Sequence, residues 1–175
     1  MKIAILSAGP SLIESYGGNA SPYDLILGVN TAAAMFECDW WSVGDADRFE
    51  EITPIGNPDV FMIGAERDKV YRSTLASRLD GVKVEEWQTA MDATGITGVR
   101  LACPNWSATA ALIFAKHLGA TSIDVYGADM QGAADVTGKE TVWRCSSRWD
   151  RERVEWAFLV KWLTDAGIEF NRVQL

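Results

Sequence analysis

The chain has 175 residues, the length of one domain and enough to bury a hydrophobic core. Hydrophobic residues make up 48% of it and charged residues 23%, and no stretch reaches the roughly 20 apolar residues that cross a bilayer. The net charge of −8 argues against direct nucleic-acid binding, which needs clustered Lys and Arg. The short apolar start ends at Pro10, which predicts a first strand rather than a signal peptide. We therefore expect one cytoplasmic domain over 1–175 that binds neither membranes nor nucleic acid.

The cysteine, histidine and tryptophan residues limit the kinds of site that the chain could form. Cys38, Cys103 and Cys145 have no paired short spacing, which predicts buried thiols rather than a disulfide framework or a zinc site. The single histidine, His117, falls in the last turn of a predicted helix and receives no catalytic role. Trp149 lies beside a polar cluster, where its ring could stack on a ligand or pack in the core.

Short β-rich runs alternate with stretches of helical periodicity, which predicts a mostly parallel sheet flanked by helices, a three-layer Rossmann-like α/β fold. Strands are predicted over Lys2–Leu6, Asp24–Val29, Trp40–Gly44, Asp59–Ile63, Val82–Trp87, Ser122–Tyr126 and Ile168–Val173. Helices are predicted over Pro10–Tyr16, Asn30–Phe36, Glu66–Leu79, Ser107–Leu118 and Arg151–Ala166. Two long segments, Gln88–Asn105 and Gln131–Trp149, fit neither pattern, and the second is predicted to be a lid. The last strand could finish the sheet or pair across an oligomer interface.

The first strand runs into Ser7-Ala8-Gly9-Pro10-Ser11-Leu12, the clearest candidate for a phosphate site. Gly9 allows the backbone to approach a ligand closely, and Pro10 suits the first helical position. The amides at the helix start and the hydroxyl of Ser11 would face an anion. A plain capped turn is the alternative, but its place after the first strand of an α/β sheet favours a ligand. Gly9, Pro10, Ser11 and Leu12 are therefore predicted to bind the phosphate of a nucleotide.

Polar residues also follow the next two predicted strands. Asn30 ends the second strand, where its amide could contact a base or ribose, or could equally cap a helix. Asp45 and Asp47 end the third strand, where two carboxylates could hold a divalent ion that bridges phosphates. Both could instead belong to the start of the following helix, an interpretation slightly favoured for Asp47. For Asp45 a site role is favoured, because three strand ends would then converge on one crevice.

The second half of the chain supplies three more candidates. Ser107 opens a helix whose amides would point into the same crevice. Asp129 follows a buried strand, so its carboxylate should meet a ligand hydroxyl, a metal or an arginine, and it is the candidate general base. The cluster Arg144 to Arg151 offers planar cations for phosphate or carboxylate, and Arg148 is the candidate that stabilises developing phosphate charge. The alternative for this cluster is a solvated loop leading to a helix capped by Asp150.

The Gly-Pro-Ser-Leu turn, the strands that end in Asn30 and Asp45, and the strand before Gly127-Ala128-Asp129 follow one shared pattern. The pattern resembles two related groups, the bacterial sialyltransferases that use CMP-sialic acid and the archaeal 6-hydroxymethylpterin diphosphokinase-like proteins. The chain is most similar to short proteins of this kind that occur in bacteriophages, and the resemblance covers most of its length. It departs from the pattern at Ser7, where a glycine is usual, and no histidine matches the base of the sialyltransferase-like group.

The resemblance implies a nucleotide site, a Mg²⁺ site and a site for the donor or acceptor sugar or ring. The nucleotide site would be lined by Gly9, Pro10, Ser11 and Asn30. The Mg²⁺ site would be formed by Asp45 and Asp47, and the sugar or ring site by Ser107 and Asp129. The predicted function is a nucleotide-dependent transferase that moves a glycosyl or diphosphate group and binds a nucleotide or nucleotide-sugar. A non-catalytic nucleotide-binding module, such as a phage accessory factor, is the second hypothesis, and a structural protein without a working site is the third.

Overall fold

A computed structural model describes residues 1–44, 49, 51–62, 84–86, 90, 93–94 and 107–173. Within these ranges the strands are β1 (Lys2–Leu6), β2 (Leu25–Val29), β3 (Trp40–Val43), β4 (Asp59–Met62), β5 (Val84–Glu86), β6 (Ser122–Tyr126) and β7 (Glu169–Arg172). The helices there are α1 (Leu12–Tyr16), a short 3₁₀ helix (Asn30–Ala34), α2 (Ser107–His117) and α3 (Ser146–Asp165). All seven predicted strands are confirmed, whereas the predicted helix Glu66–Leu79 lies outside the described residues. None of the described helices combines the length and the apolar character that a membrane crossing requires.

The strands form one sheet in the order β5-β4-β3-β2-β1-β6-β7, and every neighbouring pair is parallel. Successive strands from β1 to β5 step in one direction, and β6 then returns to the other side of β1. The chain leaves β1 toward the face that carries α1 and leaves β6 toward the face that carries α3. Such a reversal opens a crevice at the carboxyl ends of the two strands, which is where ligands of open α/β sheets bind. The predicted Rossmann-like fold is confirmed, and it places the candidate site beyond β1 and β6.

Both faces of the sheet are buried, which explains why its central strands are apolar at consecutive positions. Ile3 and Ile5 pack on the face that α2 and α3 cover, whereas Ala4 and Leu6 pack on the face that α1 covers. Helix α2 is itself fully buried over its middle, residues 110–115. The start of α2 lies at the carboxyl edge of the sheet, where Ser107 contacts Asn30.

Helix α3 begins at Ser146, five residues before the predicted start at Arg151. Trp149, Glu152 and Trp156 are all buried, so the packing face of the helix extends a full turn further back than the apolar residues indicated. Glu152 obscured this face because it is a charged residue in a core position. The predicted helix boundary was therefore wrong at its start, although the helix itself is confirmed.

Helix α3 includes the last four residues of the predicted lid, Gln131–Trp149. The remaining residues, 131–145, are called the arm below. The arm contains an isolated bridge between Ala134 and Glu140. Asp150 does not cap the helix, since it lies within α3, where it is exposed and forms an ion pair with Arg153 at 2.8 Å.

Candidate functional site

The turns after β1 and β6 are joined by backbone hydrogen bonds. The N–H of Ser7 donates to the carbonyl of Tyr126 at 2.8 Å, and the N–H of Gly9 donates to the carbonyl of Gly127 at 2.9 Å. A Cβ atom on Gly9 would lie within 3.0 Å of both the Gly127 carbonyl oxygen and the Asp129 carboxylate. Gly9 thus allows two turns of the protein to approach each other, where the sequence predicted an approach to a ligand.

The carboxylate of Asp129 lies at the start of α1 and binds Ser11. One carboxylate oxygen accepts the Ser11 N–H at 3.0 Å, and the other accepts the Ser11 hydroxyl. An arginine was one of the predicted partners of Asp129, and Arg172 does reach it, but it donates to the backbone carbonyl at 3.2 Å. The two donors that Ser11 was predicted to offer a phosphate are therefore occupied by a carboxylate of the protein.

The other two residues of the predicted phosphate turn lie at different depths. Pro10 is exposed and has no N–H to offer a ligand. Leu12 is completely buried in the core, and its N–H donates to the carbonyl of Gly9 at 3.1 Å. Leu12 therefore holds the turn in place by packing, and its side chain is not directed toward the crevice.

Asn30 and Ser107 are in contact although 77 residues separate them in the chain. The side-chain amide of Asn30 donates to the Ser107 hydroxyl oxygen at 3.2 Å. Asn30 has a positive φ of 49°, which Asn tolerates better than other residues with a side chain, and its carbonyl accepts the indole N–H of Trp41 at 3.2 Å. Asn30 is thus the first residue of the 3₁₀ helix rather than its cap, and two of the predicted nucleotide-binding residues lie together.

Asp45 and Asp47, the predicted Mg²⁺ ligands, lie outside the described residues. Strand β3 pairs with β2 and ends at Val43, so its carboxyl end lies on the same edge of the sheet as Asn30. Across the ranges that the structure describes, no three His, Cys, Asp or Glu side chains come together as a metal site. The Mg²⁺ site therefore stays a prediction.

The arm crosses the carboxyl ends of β1 and β2. The N–H of Val136 donates to the carbonyl of Ala8 at 2.9 Å, and the hydroxyl of Thr31 donates to Asp135 at 3.4 Å. Asp135 is buried and also accepts the N–H and hydroxyl of Thr137, at 2.9 and 2.6 Å. Asp135 was not among the predicted site residues, although the run Asp-Val-Thr-Gly-Lys is typical of an Asx turn and indicates its role.

Two arginines lie against the ring of Trp149 at the start of α3. The guanidinium carbons of Arg144 and Arg148 are 5.0 and 4.9 Å from the ring centre. Trp149 is buried, and its indole N–H donates to the carbonyl of Gly132 at 3.0 Å, so the ring packs in the core, one of its two predicted roles. The Nε atoms of both arginines are buried without a hydrogen-bond partner in the described part of the chain. Burial, together with the charge of Arg148, lowers the pKa of Arg144.

Glu152 is a buried carboxylate in contact with Arg148. It is 2% exposed, one of its oxygens lies 3.5 Å from Nε of Arg148, and the other accepts the hydroxyl of Thr109 at 3.4 Å. The indole N–H of Trp156 donates to the same hydroxyl at 3.0 Å. Burial raises the pKa of Glu152 above the ordinary carboxyl value, although the charge of Arg148 opposes this. Arg148, the predicted partner of phosphate charge, is thus partly neutralised by Glu152.

Replacing Glu152 with Gln is expected to change how the free energy of unfolding depends on pH. Because burial raises the folded-state pKa of Glu152, the folded protein holds this proton more tightly than the unfolded chain. The contribution of this group to stability is fully present below its unfolded-state pKa and is lost as the pH rises through the folded-state pKa. We therefore expect wild type to gain stability relative to Glu152→Gln when the pH falls from about 8 to about 5, in urea titrations.

The matched control is Glu155→Gln, which removes a carboxylate from the next turn of the same helix. This control should follow the pH response of the wild type. If all three proteins responded to pH in the same way, Glu152 would not have the raised pKa that its burial indicates.

The strand order and the crevice at its point of reversal define a Rossmann-like α/β domain. No protein-family model matches the chain, and no curated protein matches it significantly. Among solved structures, the chain is similar to a mammalian sialyltransferase in complex with Gal-beta-1-3GalNAc-ortho-nitrophenol. The two share 16% sequence identity with a TM-score of 0.51, over 98% of this chain and 68% of that chain. The similarity supports the fold and indicates a distant structural relationship.

Proposed function

We propose that the chain is a nucleotide-dependent transferase that moves a glycosyl or diphosphate group. The nucleotide or nucleotide-sugar binds in the crevice beyond β1 and β6, with its phosphate at the Gly-Pro-Ser-Leu turn. The observation that carries this proposal is the carboxylate of Asp129 on the N–H and hydroxyl of Ser11. A turn that already holds one oxyanion has the donors that a phosphate needs.

The phosphate binds by exchange with Asp129. A phosphate oxygen accepts the N–H and hydroxyl of Ser11 as the carboxylate does in this structure, so the exchange leaves Ser11 fully hydrogen-bonded. Asn30 and Ser107, which are 3.2 Å apart, contact the nucleoside from the carboxyl end of β2. The exchange is consistent with both predicted roles: Ser11 binds the phosphate, and Asp129 becomes free to act as the general base.

The released Asp129 acts as the general base. It takes the proton from the acceptor hydroxyl while the acceptor oxygen forms its new bond and the bond between the transferred group and the nucleotide breaks. Arg148 stabilises the negative charge that develops on the departing phosphate. The buried Glu152 keeps the guanidinium of Arg148 oriented during this step, since it lies 3.5 Å away.

Mg²⁺ would be held by Asp45 and Asp47 after β3. Carboxylate oxygens suit this cation, and when bound it supplies charge neutralisation for phosphate groups. The carboxyl end of β3 lies on the edge of the sheet that carries Asn30, which fits a metal close to the nucleotide. Comparison of nucleotide binding with and without Mg²⁺ tests this metal site.

The similarity to a sialyltransferase supports glycosyl transfer over diphosphate transfer. That protein was solved in complex with the sugar derivative Gal-beta-1-3GalNAc-ortho-nitrophenol. We therefore place nucleotide-sugars first among the proposed substrates of this chain.

Thermal shifts with nucleotides are expected to identify the ligand. The panel is CMP, CDP, CTP, ATP, GTP, CMP-sialic acid and UDP-sugars, each with and without Mg²⁺. A ligand at 100 times its Kd stabilises the folded state by about 2.7 kcal/mol. We expect a selective shift in the wild type and a smaller one in Asn30→Ala, with the exposed Ser21→Ala as the control that keeps the shift. No shift from any nucleotide would contradict the proposal.

A non-catalytic nucleotide-binding module is the second candidate. The observation that favours it is the occupation of both Ser11 donors by Asp129, so the proposed base is itself engaged before a ligand binds. The two candidates differ in the fate of the ligand. A nucleotide-sugar recovered intact after long incubation with the protein, Mg²⁺ and sugar acceptors would favour the binding module.

A further inference from the structure

A pocket of about 250 Å³ lies between the residues that follow Asp129 and the start of α3. Its walls include Met130, Gly132, Trp149 and the two arginines Arg144 and Arg153. None of the predicted nucleotide-binding residues lines it, so it is a separate site beside the nucleotide crevice. Its volume lies below the roughly 300–1,000 Å³ of pockets for drug-sized ligands, which suits one small group of a ligand.

Two side chains donate hydrogen bonds to backbone carbonyls in one wall of the pocket. Arg153 donates to the carbonyl of Met130 at 2.6 Å, and Trp149 donates to the carbonyl of Gly132 at 3.0 Å. Met130 has a positive φ of 49°, which is unfavourable for a residue with a side chain. Such a conformation persists only where surrounding contacts fix it, and it is typical of binding sites.

Arg144 is the arginine of this pocket without an ion pair in the described ranges, although the charges of Asp135, Glu152 and Asp129 act on it from further away. Arg153 forms an ion pair with Asp150 at 2.8 Å, and the neighbouring Arg148 lies 3.5 Å from Glu152. Arg144 makes no ion pair within the described ranges, and its buried Nε has no hydrogen-bond partner there. An oxyanion in the pocket would pair with this partly buried guanidinium at closer range than those three carboxylates do.

We infer that this pocket binds the oxyanion group, carboxylate or phosphate, of the second substrate, which accepts the transferred group. The identity of that substrate as the acceptor rests on the proposed function, whereas anion binding at Arg144 does not. Because Met130 directly follows Asp129, an acceptor anchored here would bring its hydroxyl close to the proposed base. In a chain of net charge −8, a pocket lined by two arginines favours an anionic group of the substrate.

Calorimetric titrations with inorganic phosphate and with acetate, at low ionic strength and without nucleotide, test the pocket. We expect the wild type to bind at least one of the two anions and Arg144→Gln to lose at least about tenfold in affinity. Lys161→Gln removes an exposed cation from the far end of α3, outside the pocket, and should stay within about twofold of the wild type. Arg144→Lys keeps the charge without the planar fork and should be intermediate.

The same variants are titrated with the nucleotide that stabilises the wild type, after circular dichroism has confirmed that they are folded. Loss of anion binding with unchanged nucleotide binding in Arg144→Gln supports a separate acceptor pocket. Loss of both in a folded Arg144→Gln would overturn it, because the pocket would then belong to the nucleotide site. Equal anion affinity in the wild type and Arg144→Gln, or no anion binding at all, would also overturn it. Anion binding through Arg144 without any nucleotide binding would support the pocket and contradict the proposed transferase.

Discussion

Replacing Gly9 with Ala is expected to destabilise the protein by about 3 kcal/mol or more, the upper range for overpacking a closed site. The new Cβ would lie within 3.0 Å of the Gly127 carbonyl oxygen and of the Asp129 carboxylate. Because the Gly127 contact is to backbone, the turns after β1 and β6 would have to separate, which breaks the 2.9 Å hydrogen bond between them. A loss of about 3 kcal/mol lowers the Tm of a domain of this size by about 6–12 °C, measurable by thermal and urea unfolding.

The matched control is Gly138→Ala in the arm. Gly138 has a φ of +81° and open space around its Cα, so alanine there meets backbone strain but no atoms. We expect a cost of about 1 kcal/mol at this position. If Gly9→Ala were no more destabilising than Gly138→Ala, the two turns would not be packed as tightly as the structure places them.

Replacing Asp129 with Asn is expected to separate nucleotide binding from turnover. Asn can still accept the Ser11 N–H, but it loses the charge and one acceptor, which costs about 1–2 kcal/mol of stability. A phosphate would no longer have to displace a carboxylate from Ser11, so nucleotide affinity should rise about tenfold. Turnover should fall at least about a hundredfold because the general base is gone. Calorimetry measures the nucleotide affinity, and product formation measures the turnover.

Asp165→Asn, at the exposed end of α3, is the control for the change of charge. It should alter neither the nucleotide affinity nor the turnover. Ser11→Ala, alone and combined with Asp129→Asn, completes a double-mutant cycle. Because the two side chains are hydrogen-bonded, we expect the effects of the two substitutions on the free energy of unfolding of the nucleotide-free protein to be non-additive. Weaker nucleotide binding in a folded Asp129→Asn would contradict the exchange of carboxylate for phosphate. Unchanged turnover in that variant would remove Asp129 from the mechanism.

The two predictions differ in what they test. Gly9→Ala tests the packing of the crevice, and its outcome does not depend on any ligand. Asp129→Asn tests the use of the crevice, because stability, affinity and turnover should change in different directions. A protein that only binds a nucleotide would show the change in affinity without any turnover to lose.

Some of the candidate site could be predicted from the sequence, because the turn after a buried strand is a local feature. Gly9, Pro10 and Ser11 lie in the turn that begins just after β1, and Asn30 follows β2 directly, as the apolar pattern indicated. The missing side chain of Gly9 also accommodates Gly127 and Asp129, which the sequence did not indicate. Their approach depends on β6 lying beside β1, and no local pattern in the chain specifies that neighbour.

The start of α3 illustrates the opposite case, in which a polar residue conceals a packing face. Glu152 occupies a core position because Thr109 and Arg148 satisfy its carboxylate, and Thr109 belongs to a different helix. A pattern of apolar residues does not include a charged residue in a core position, so the predicted helix began about one turn too late. The same displacement made Trp149 appear to be part of a lid, although it is buried in the helix.

The sequence by itself determined the fold class, the seven strands and the turn at the carboxyl end of β1. These features depend on burial of both sheet faces and on local backbone preferences, which short stretches of residues encode. Only the tertiary structure decided which polar groups meet: Asp129 with Ser11 across 118 residues, and Asn30 with Ser107 across 77. Hydrogen bonds of this kind depend on the order of strands in the sheet and the direction in which each connection leaves it. That order is a property of the whole packed chain, because it is selected by the burial of both faces together.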